Sequence, residues 1–440
     1  MKHCSKWLFA FVMLGIGSGN GEALASAFQL YEQDAASIGN YHAGIAAIAE
    51  NASTSYYNPA GLVLIKNQEF VLGADPVNTN IHFDGTVGLT DNTIDFVAPP
   101  VPTSAQGGNF NVVPFGHFAT PVTKNVFFGF SVVVPFGLKT DYGQTGNSQY
   151  AATLSELKVV DITPSLALAI NNQFSVGLGV DVEHVTAELD QNVTVPEFPE
   201  EFTSKSINKG SSNGVGYHLG GLFQFSPRTR VGLVYHSEIH HNLKGTSSLI
   251  GPIANGATGG EQVSEDLKTS VTLPSETSLS LFHSINNRWD VMGSVTYTRW
   301  SVFNKVLLEN VAGILALAPT NTLPVLINED YRNTLNYSVG ANFNVNERWI
   351  LRTGLGFDES PANDRFRNLQ LPDSNRVALA FGAHFQATKR IGFDAGWTHL
   401  FARNTSINNL SQVLGDETST TNGPVTGSAD VLGLQLKVDL

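Results

Sequence analysis

The sequence predicts a closed transmembrane β-barrel of fourteen antiparallel strands with a small N-terminal plug. Three observations lead there. About fourteen segments carry apolar side chains on every second residue, which is the side-chain period of a strand. Six very short turns, at 122–125, 171–172, 226–228, 286–287, 344–346 and 389, alternate with seven long polar excursions near 84–110, 137–151, 191–212, 247–264, 307–328, 360–373 and 406–425. No apolar run after residue 25 approaches the roughly 20 residues that a membrane-crossing helix needs. Bacterial outer-membrane barrels keep short turns on the periplasmic side and long loops outside, so the alternation predicts an outer-membrane location with both chain ends in the periplasm.

Residues 1–25 combine a basic start (Lys2, Lys6), an apolar stretch and small residues up to Ala23-Leu24-Ala25, the pattern of a secretory signal peptide cleaved before Ser26. Cleavage before Phe28 is the alternative site. The single cysteine, Cys4, falls in this segment, so neither disulfides nor a lipid anchor is expected. A net charge of −13 without any Lys/Arg cluster argues against nucleic acid as a partner, because such binding depends on neutralising phosphates. Mean hydropathy near zero is compatible with the barrel, since lipid-facing and lumen-facing residues cancel in a window average.

Residues 26–67 do not alternate. They are small, polar and Ala-rich, with helix-like spacing, and end in Tyr57-Asn58-Pro59-Ala60-Gly61. A segment of about 40 residues is short for an independent domain, so it reads as a plug inside the barrel that turns tightly at Asn58, Pro59 and Ala60. A mobile periplasmic extension is the competing reading.

Residues 68–440 are read as the barrel, with strands near 68–82, 111–121, 125–136, 153–170, 173–190, 213–225, 229–245, 266–285, 288–306, 330–343, 347–359, 374–388, 390–404 and 427–440. In 174–183, Phe174, Val176, Leu178, Val180 and Val182 oppose Ser175, Gly177, Gly179, Asp181 and Glu183; charge collects on the inner face. Trp289 and Trp349 each follow a short turn, where an indole suits the membrane–water boundary. Pro76, Pro135, Pro164 and Pro274 lie inside strands and each removes a ladder donor, so bulges or gaps in pairing are expected. Pro135, with Phe136 and Gly137, marks the expected gap in the wall, a lateral opening for a side exit.

Several motifs resemble one known group in its order along the whole mature chain. They are Ser26 to Leu30, Tyr57 to Gly61, Pro135 to Tyr142, Ile162 to Ser165, Tyr297 to Ser301, Arg352 to Pro361 and Leu371 to Arg376. Together they resemble the outer-membrane long-chain fatty acid transport family (FadL type), which includes aromatic-hydrocarbon channels. The resemblance implies a fourteen-strand barrel with an N-terminal hatch, and passive uptake of a hydrophobic small molecule. That molecule would be a long-chain fatty acid or a hydrocarbon, leaving sideways through the wall beside a kinked third strand. It further implies that Asn58, Pro59 and Ala60 form the hatch turn and that Phe28 approaches the ligand pocket. Two departures are Leu440 in place of a terminal Phe and Thr186 where some relatives carry a basic residue.

A carboxylate ligand would need a lumen cation, for which Arg332, Arg352 and Arg376 are the candidates; salt bridges to lumen carboxylates are their other role. Outer-membrane lipid and lipopolysaccharide are the expected surroundings of a monomer that needs no cofactor. An outer-membrane enzyme is one rival class. His236, Glu238 and His240 are read as sharing one strand face and could ligate a metal, but the spacing is that of any polar lumen face. Gly214-x-Gly216 with Gly220 lacks the strand–turn–helix setting of a nucleotide loop. A general hydrophilic porin is the second rival, and it would need no plug. Phe96, Val97, Val101, Val195 and Phe198 are expected to form an outer apolar groove.

Overall fold

The computed structural model describes residues 27–91, 96–97, 99–194, 202–254, 260–313, 322–414 and 417–440. The segment read as a signal peptide, and Val195 and Phe198, lie outside the described residues; Phe96 and Val97 are described only as backbone.

Fourteen antiparallel strands form the wall: β1 (Glu69–Asp91), β2 (Phe110–Pro121), β3 (Val126–Asp141), β4 (Leu154–Ala169), β5 (Phe174–Val193), β6 (Ser204–Ser226), β7 (Thr229–His236 and Ile239–Gly251), β8 (Gly260–Leu273 and Glu276–Ser284), β9 (Trp289–Thr298), β10 (Thr334–Asn344), β11 (Trp349–Asp358), β12 (Arg376–Gln386), β13 (Ile391–Ala402) and β14 (Glu417–Asp439). Each pairs with its sequence neighbour, and β1 pairs with β14 from Glu69↔Asp439 to Asp91↔Glu417, which closes the cylinder. Several strands run further outward than the sequence suggested: β1 continues to Asp91, β6 starts at Ser204 and β14 starts at Glu417. In those extensions the outer face carries polar residues such as His82 and Asp84, and the inner face is broken by polar residues and glycines such as Gly85, although Phe83, Val87 and Val425 still pack inward. The stretches Lys305–Ala312 and Thr322–Asn328 form a further outer hairpin.

The six short turns share one device, a side-chain oxygen that accepts a backbone N–H two residues on. Asn171, Asn286 and Asn346 accept from Gln173, Arg288 and Arg348 at 2.8–2.9 Å, while Thr123, Ser226 and Thr388 accept from Asn125, Arg228 and Arg390 at 3.2–3.3 Å. Asn and the hydroxyl residues make such local bonds readily, which is why these turns were legible. Outward side chains such as Leu178, Val180 and Val182 are exposed to the lipid position, and Trp289 and Trp349 are 44% and 42% exposed at the turn end. Their rings lie 4.6 Å from those of Phe343 and Phe385 on neighbouring strands, continuing an aromatic girdle.

The N-terminal residues fill the lumen as a plug of short pieces: α1 (Ala35–Ile38), α2 (Ile45–Ile48), α3 (Thr54–Tyr57) and a 3-10 turn (Pro59–Leu64). None could persist alone, since helices this short are unstable in water; the barrel holds them. Asn58 is fully buried and works in three directions. Its Oδ1 accepts from Ala60 N at 3.0 Å, and its Nδ2 donates to Ala46 O at 2.6 Å and to Gly221 O at 3.2 Å. The wall thins to meet it. A Cβ on Gly220 would collide with Asn58 Oδ1, and one on Gly177 would collide with Pro59 and Ala60.

Candidate functional site

Each of the four strand prolines interrupts the ladder. Asp75 and Pro76 have no partner on β14, Thr163 and Pro164 none on β5, and Pro274 divides β8. Pro135 has the largest consequence. β2 and β3 pair only from Gly116↔Val132 to Pro121↔Phe127, while β3 shifts register against β4 between Val133 and Phe136. Above that point β3 leaves β2 until Asp141 N donates to Gly107 O at 3.1 Å, so the lapse is a bounded window.

The hatch supplies what the wall lacks there. Leu30 N donates to Pro135 O and Gly137 N donates to Phe28 O, both at 2.8 Å, forming one antiparallel bridge between Gln29 and Phe136. Gln33 Nε2 donates to Val134 O at 2.7 Å and Gln33 Oε1 accepts from Val134 N at 3.0 Å. Backbone groups inside a membrane protein need partners, and a hatch segment serves as the missing strand.

Two cavities lie near Phe28 and share Leu273 in their linings. The outer one is largely apolar, with Leu138, Leu157, Leu243, Leu273, Val306 and Ile327 beside Phe28 and Phe303. Its polar groups include Asn208, Gln370 and Glu329. Burial pushes the Glu329 carboxyl, in the loop beyond Asn328, up to about 7, and Asn368 Nδ2 donates to it at 3.0 Å. Phe28 packs edge-on against Trp300 at 4.7 Å and Phe303 at 5.1 Å, and lies 6.0 Å from Phe136. The inner cavity reaches Pro135 and Phe136 on the window side and is polar, with Asp161, Asp181, Glu183 and Glu276 and the hatch residues Tyr31, Tyr41 and His42. Burial lowers the His42 imidazole to about 3 and raises the Glu32 carboxyl to about 7.

The residues singled out from the sequence fall into separate places. Phe28 lines the outer cavity, and Pro135, Phe136 and Gly137 form the edge of the window. Asn58, Pro59 and Ala60 sit against β5 and β6, away from the Pro135 edge. None of the three arginines lines either cavity. Arg352 is buried between Asp394, at 2.7 Å, and hatch residue Glu50, at 3.3 Å. Arg376 pairs with Asp358 at 2.8 Å and Asp373 at 3.6 Å, and Arg332 donates to Ser360 O at 2.9 Å on the outer side. Thr186 points outward, so the lumen positions beside it are Val185 and Ala187. Val101 of the outer groove is exposed.

His236, Glu238 and His240 do not share a face. β7 breaks at Ser237 and Glu238, and the alternation restarts one residue out of phase, so His240 is exposed and Glu238 pairs with Arg299 at 3.1 Å. His241 faces inward instead and meets Glu183 at 2.9 Å. Gln33, whose side chain bridges the window, carried no sequence signal beyond its position five residues after Phe28.

A profile of the family described as outer membrane protein transport protein (OMPP1/FadL/TodX) matches residues 17–440. Outer membrane protein P1 of Haemophilus influenzae is 28% identical over 478 residues, covering 99% of each chain. The long-chain fatty acid transport protein of Escherichia coli K12 is 24% identical over 422 residues, 88% of this chain and 90% of that one. Among solved structures, a FadL homologue of Pseudomonas aeruginosa superposes with a TM-score of 0.83 at 22% identity, over 94% of this chain and 99% of that one. The Pseudomonas putida toluene transporter TodX does so with 0.68 at 15% identity, over 94% and 99%. At these identities the structural likeness establishes the fold. With the profile spanning the barrel and the hatch together, the chain belongs to the outer membrane protein transport (OMPP1/FadL/TodX) family and is an outer-membrane protein.

Proposed function

We propose that this chain is a passive channel for hydrophobic molecules, with long-chain fatty acids as its first substrate class, and that cargo leaves sideways between β2 and β3 when the hatch shifts. The observation that carries this reading is Phe28. One residue lines the apolar outer cavity while its carbonyl holds the rim of the window at Gly137. A ligand that displaces the ring therefore pulls on the hydrogen bonds that seal the wall. Such coupling needs only a difference in ligand affinity between the two hatch positions. Relatives named long-chain fatty acid transport proteins, matched over about nine-tenths of their length, support the substrate class. The chain is proposed to work as a monomer among outer-membrane lipid and lipopolysaccharide.

A second reading, neutral hydrocarbons, is favoured by one feature. Among the described residues no Arg or Lys lines the outer cavity, and its titratable groups are carboxylates. A fatty-acid anion would have no cation to meet there, and an unpaired charge in an apolar site is costly. Competition of a fluorescent fatty acid with oleate and with toluene on purified protein decides. Displacement by oleate is expected; displacement by toluene alone overturns the fatty-acid assignment in favour of hydrocarbons.

A further inference from the structure

We propose that the lumen wall formed by β5, β6 and β7 holds a divalent transition-metal ion, with Asp181, His218 and His236 as its protein ligands. One ligand atom from each of the three lies within 4.8 Å of the others. The register brings them together: His218 and His236 are directly opposed across β6 and β7, and their rings stack at 4.9 Å. His218 lies over Gly179 of β5, where any Cβ would strike its imidazole, and its Nδ1 is 2.6 Å from Asp181 Oδ1. Asp181 and His218 are buried, which makes this a built site inside the wall.

The surroundings call for positive charge. Asp161 and Glu183 are opposed on β4 and β5 and share the lumen face with Asp181. Asp161 Oδ1 is buried with no hydrogen-bond partner. Among the described residues no Lys or Arg lines this cavity. Glu183 has the His241 imidazole at 2.9 Å, but neither ring nitrogen of His236 is hydrogen-bonded to a described residue. A buried carboxylate keeps its charge only when paired with a cation or a metal, and otherwise takes up a proton. A mixed imidazole and carboxylate set suits zinc and its first-row neighbours.

On binding, the cation takes the place of the proton held between Asp181 and His218, which passes to solvent, while His236 contributes a free lone pair; metal uptake therefore releases a proton. The site also touches the hatch. His218 Nε2 is 3.2 Å from Ser55 O, and the Tyr56 ring lies 5.0 Å from that of His236.

The test is calorimetric titration of Zn²⁺ into purified, chelator-treated protein in detergent, in two buffers of different ionisation enthalpy. One saturable equivalent with proton release is expected, lost in His236→Ala and Asp181→Asn and retained in His240→Ala, which changes an exposed histidine. Absence of saturable binding to the wild type overturns the proposal. So does binding unchanged in His236→Ala, which would assign it to surface histidines. Heat-modifiable migration on gels reports barrel integrity; if Asp181→Asn fails it, His236→Ala, whose ring makes no described hydrogen bond, decides alone.

Discussion

The hatch touches the barrel in two opposite ways. Against β5 and β6 the wall is complete, paired without a lapse from Phe174↔Phe223 to Val193↔Ser204, and it makes room for the plug by thinning to glycine at Gly177 and Gly220. Against β2 and β3 the wall is incomplete, and the hatch lends it hydrogen bonds through Phe28, Leu30 and Gln33. The first contact rests mainly on shape, with hydrogen bonds from Asn58 Nδ2 to Gly221 O and from Ser175 Oγ to Ala60 O beside it, and the second on backbone polar groups. A plug held by close packing on one side and a few hydrogen bonds on the other will yield first on the hydrogen-bonded side. There each bond contributes a net ~1 kcal/mol.

Removing the hatch destroys both contacts and should give the largest effect. A chain lacking residues 27–67 but keeping its export signal should still form the barrel, because closure by β1 and β14 involves no hatch residue. In planar bilayers it should show large, unselective conductance where the intact protein is nearly closed. Conductance equal to that of the intact protein would mean that the hatch does not occlude the lumen.

Breaking the packed side alone comes next. Gly220→Leu places a side chain where Asn58 Oδ1 and Pro59 Cδ now lie. Overpacking of this kind costs about 1–3 kcal/mol, and the upper end applies because the obstacle is buried. Gly221→Leu is the internal control, since a Cβ there meets nothing within 4 Å. Raised basal conductance in the first variant and none in the second is the expected pattern. Equal behaviour would mean that the glycine contact does not seat the hatch.

The difference between the two sides also explains what could be read from the sequence. Alternation along 174–183 and the Asn-capped turns are properties of a single stretch of chain, and they disclosed the wall and its closure. Contacts across strands depend on register, which no single stretch reveals. His218 and His236 are eighteen positions apart and meet only because β6 and β7 turn at Pro227 and Arg228. The break at Ser237 inverted the faces of Glu238 and His240, and a one-residue slip moves every later side chain to the other side. Arg352 and Arg376 were legible as lumen-facing, but their partners Glu50, Asp394 and Asp358 lie on other segments. Pro135 was legible as a defect, whereas the identity of its repair, Gln33, was not.

Gln33→Leu tests the hydrogen-bonded side directly. It preserves bulk but leaves Val134 N–H and C=O without their partners. Orphaned backbone groups cost about 1–3 kcal/mol, and the lower end is expected because the contact is only partly buried. Hydrogen exchange at Val134 to Gly137 should accelerate, while exchange along β5 stays unchanged. Equal acceleration along both would show that the window is no weaker than the wall.

The smallest effect concerns pH and Glu32, which lies between Leu30 and Gln33 of this seal. Burial raises its carboxyl from 4.5 to about 7, with Arg376 pulling it partly back and Asp358 opposing that, and its Oε2 has no hydrogen-bond partner. Out of the barrel the group loses its proton near 4.5; seated, it keeps the proton until about 7. Its contribution to seating is therefore fully present below pH 4.5 and is lost as pH rises through 7. His42 has the opposite sign, since burial lowers it from 6.5 to about 3 and seating weakens as pH falls below 6.5. Glu32→Gln should flatten only the loss on the alkaline side, read as basal conductance between pH 5 and 8, and leave the acid side in place. An unchanged alkaline slope in this variant would assign that slope to other buried carboxyls and leave Glu32 a neutral filler of the hatch.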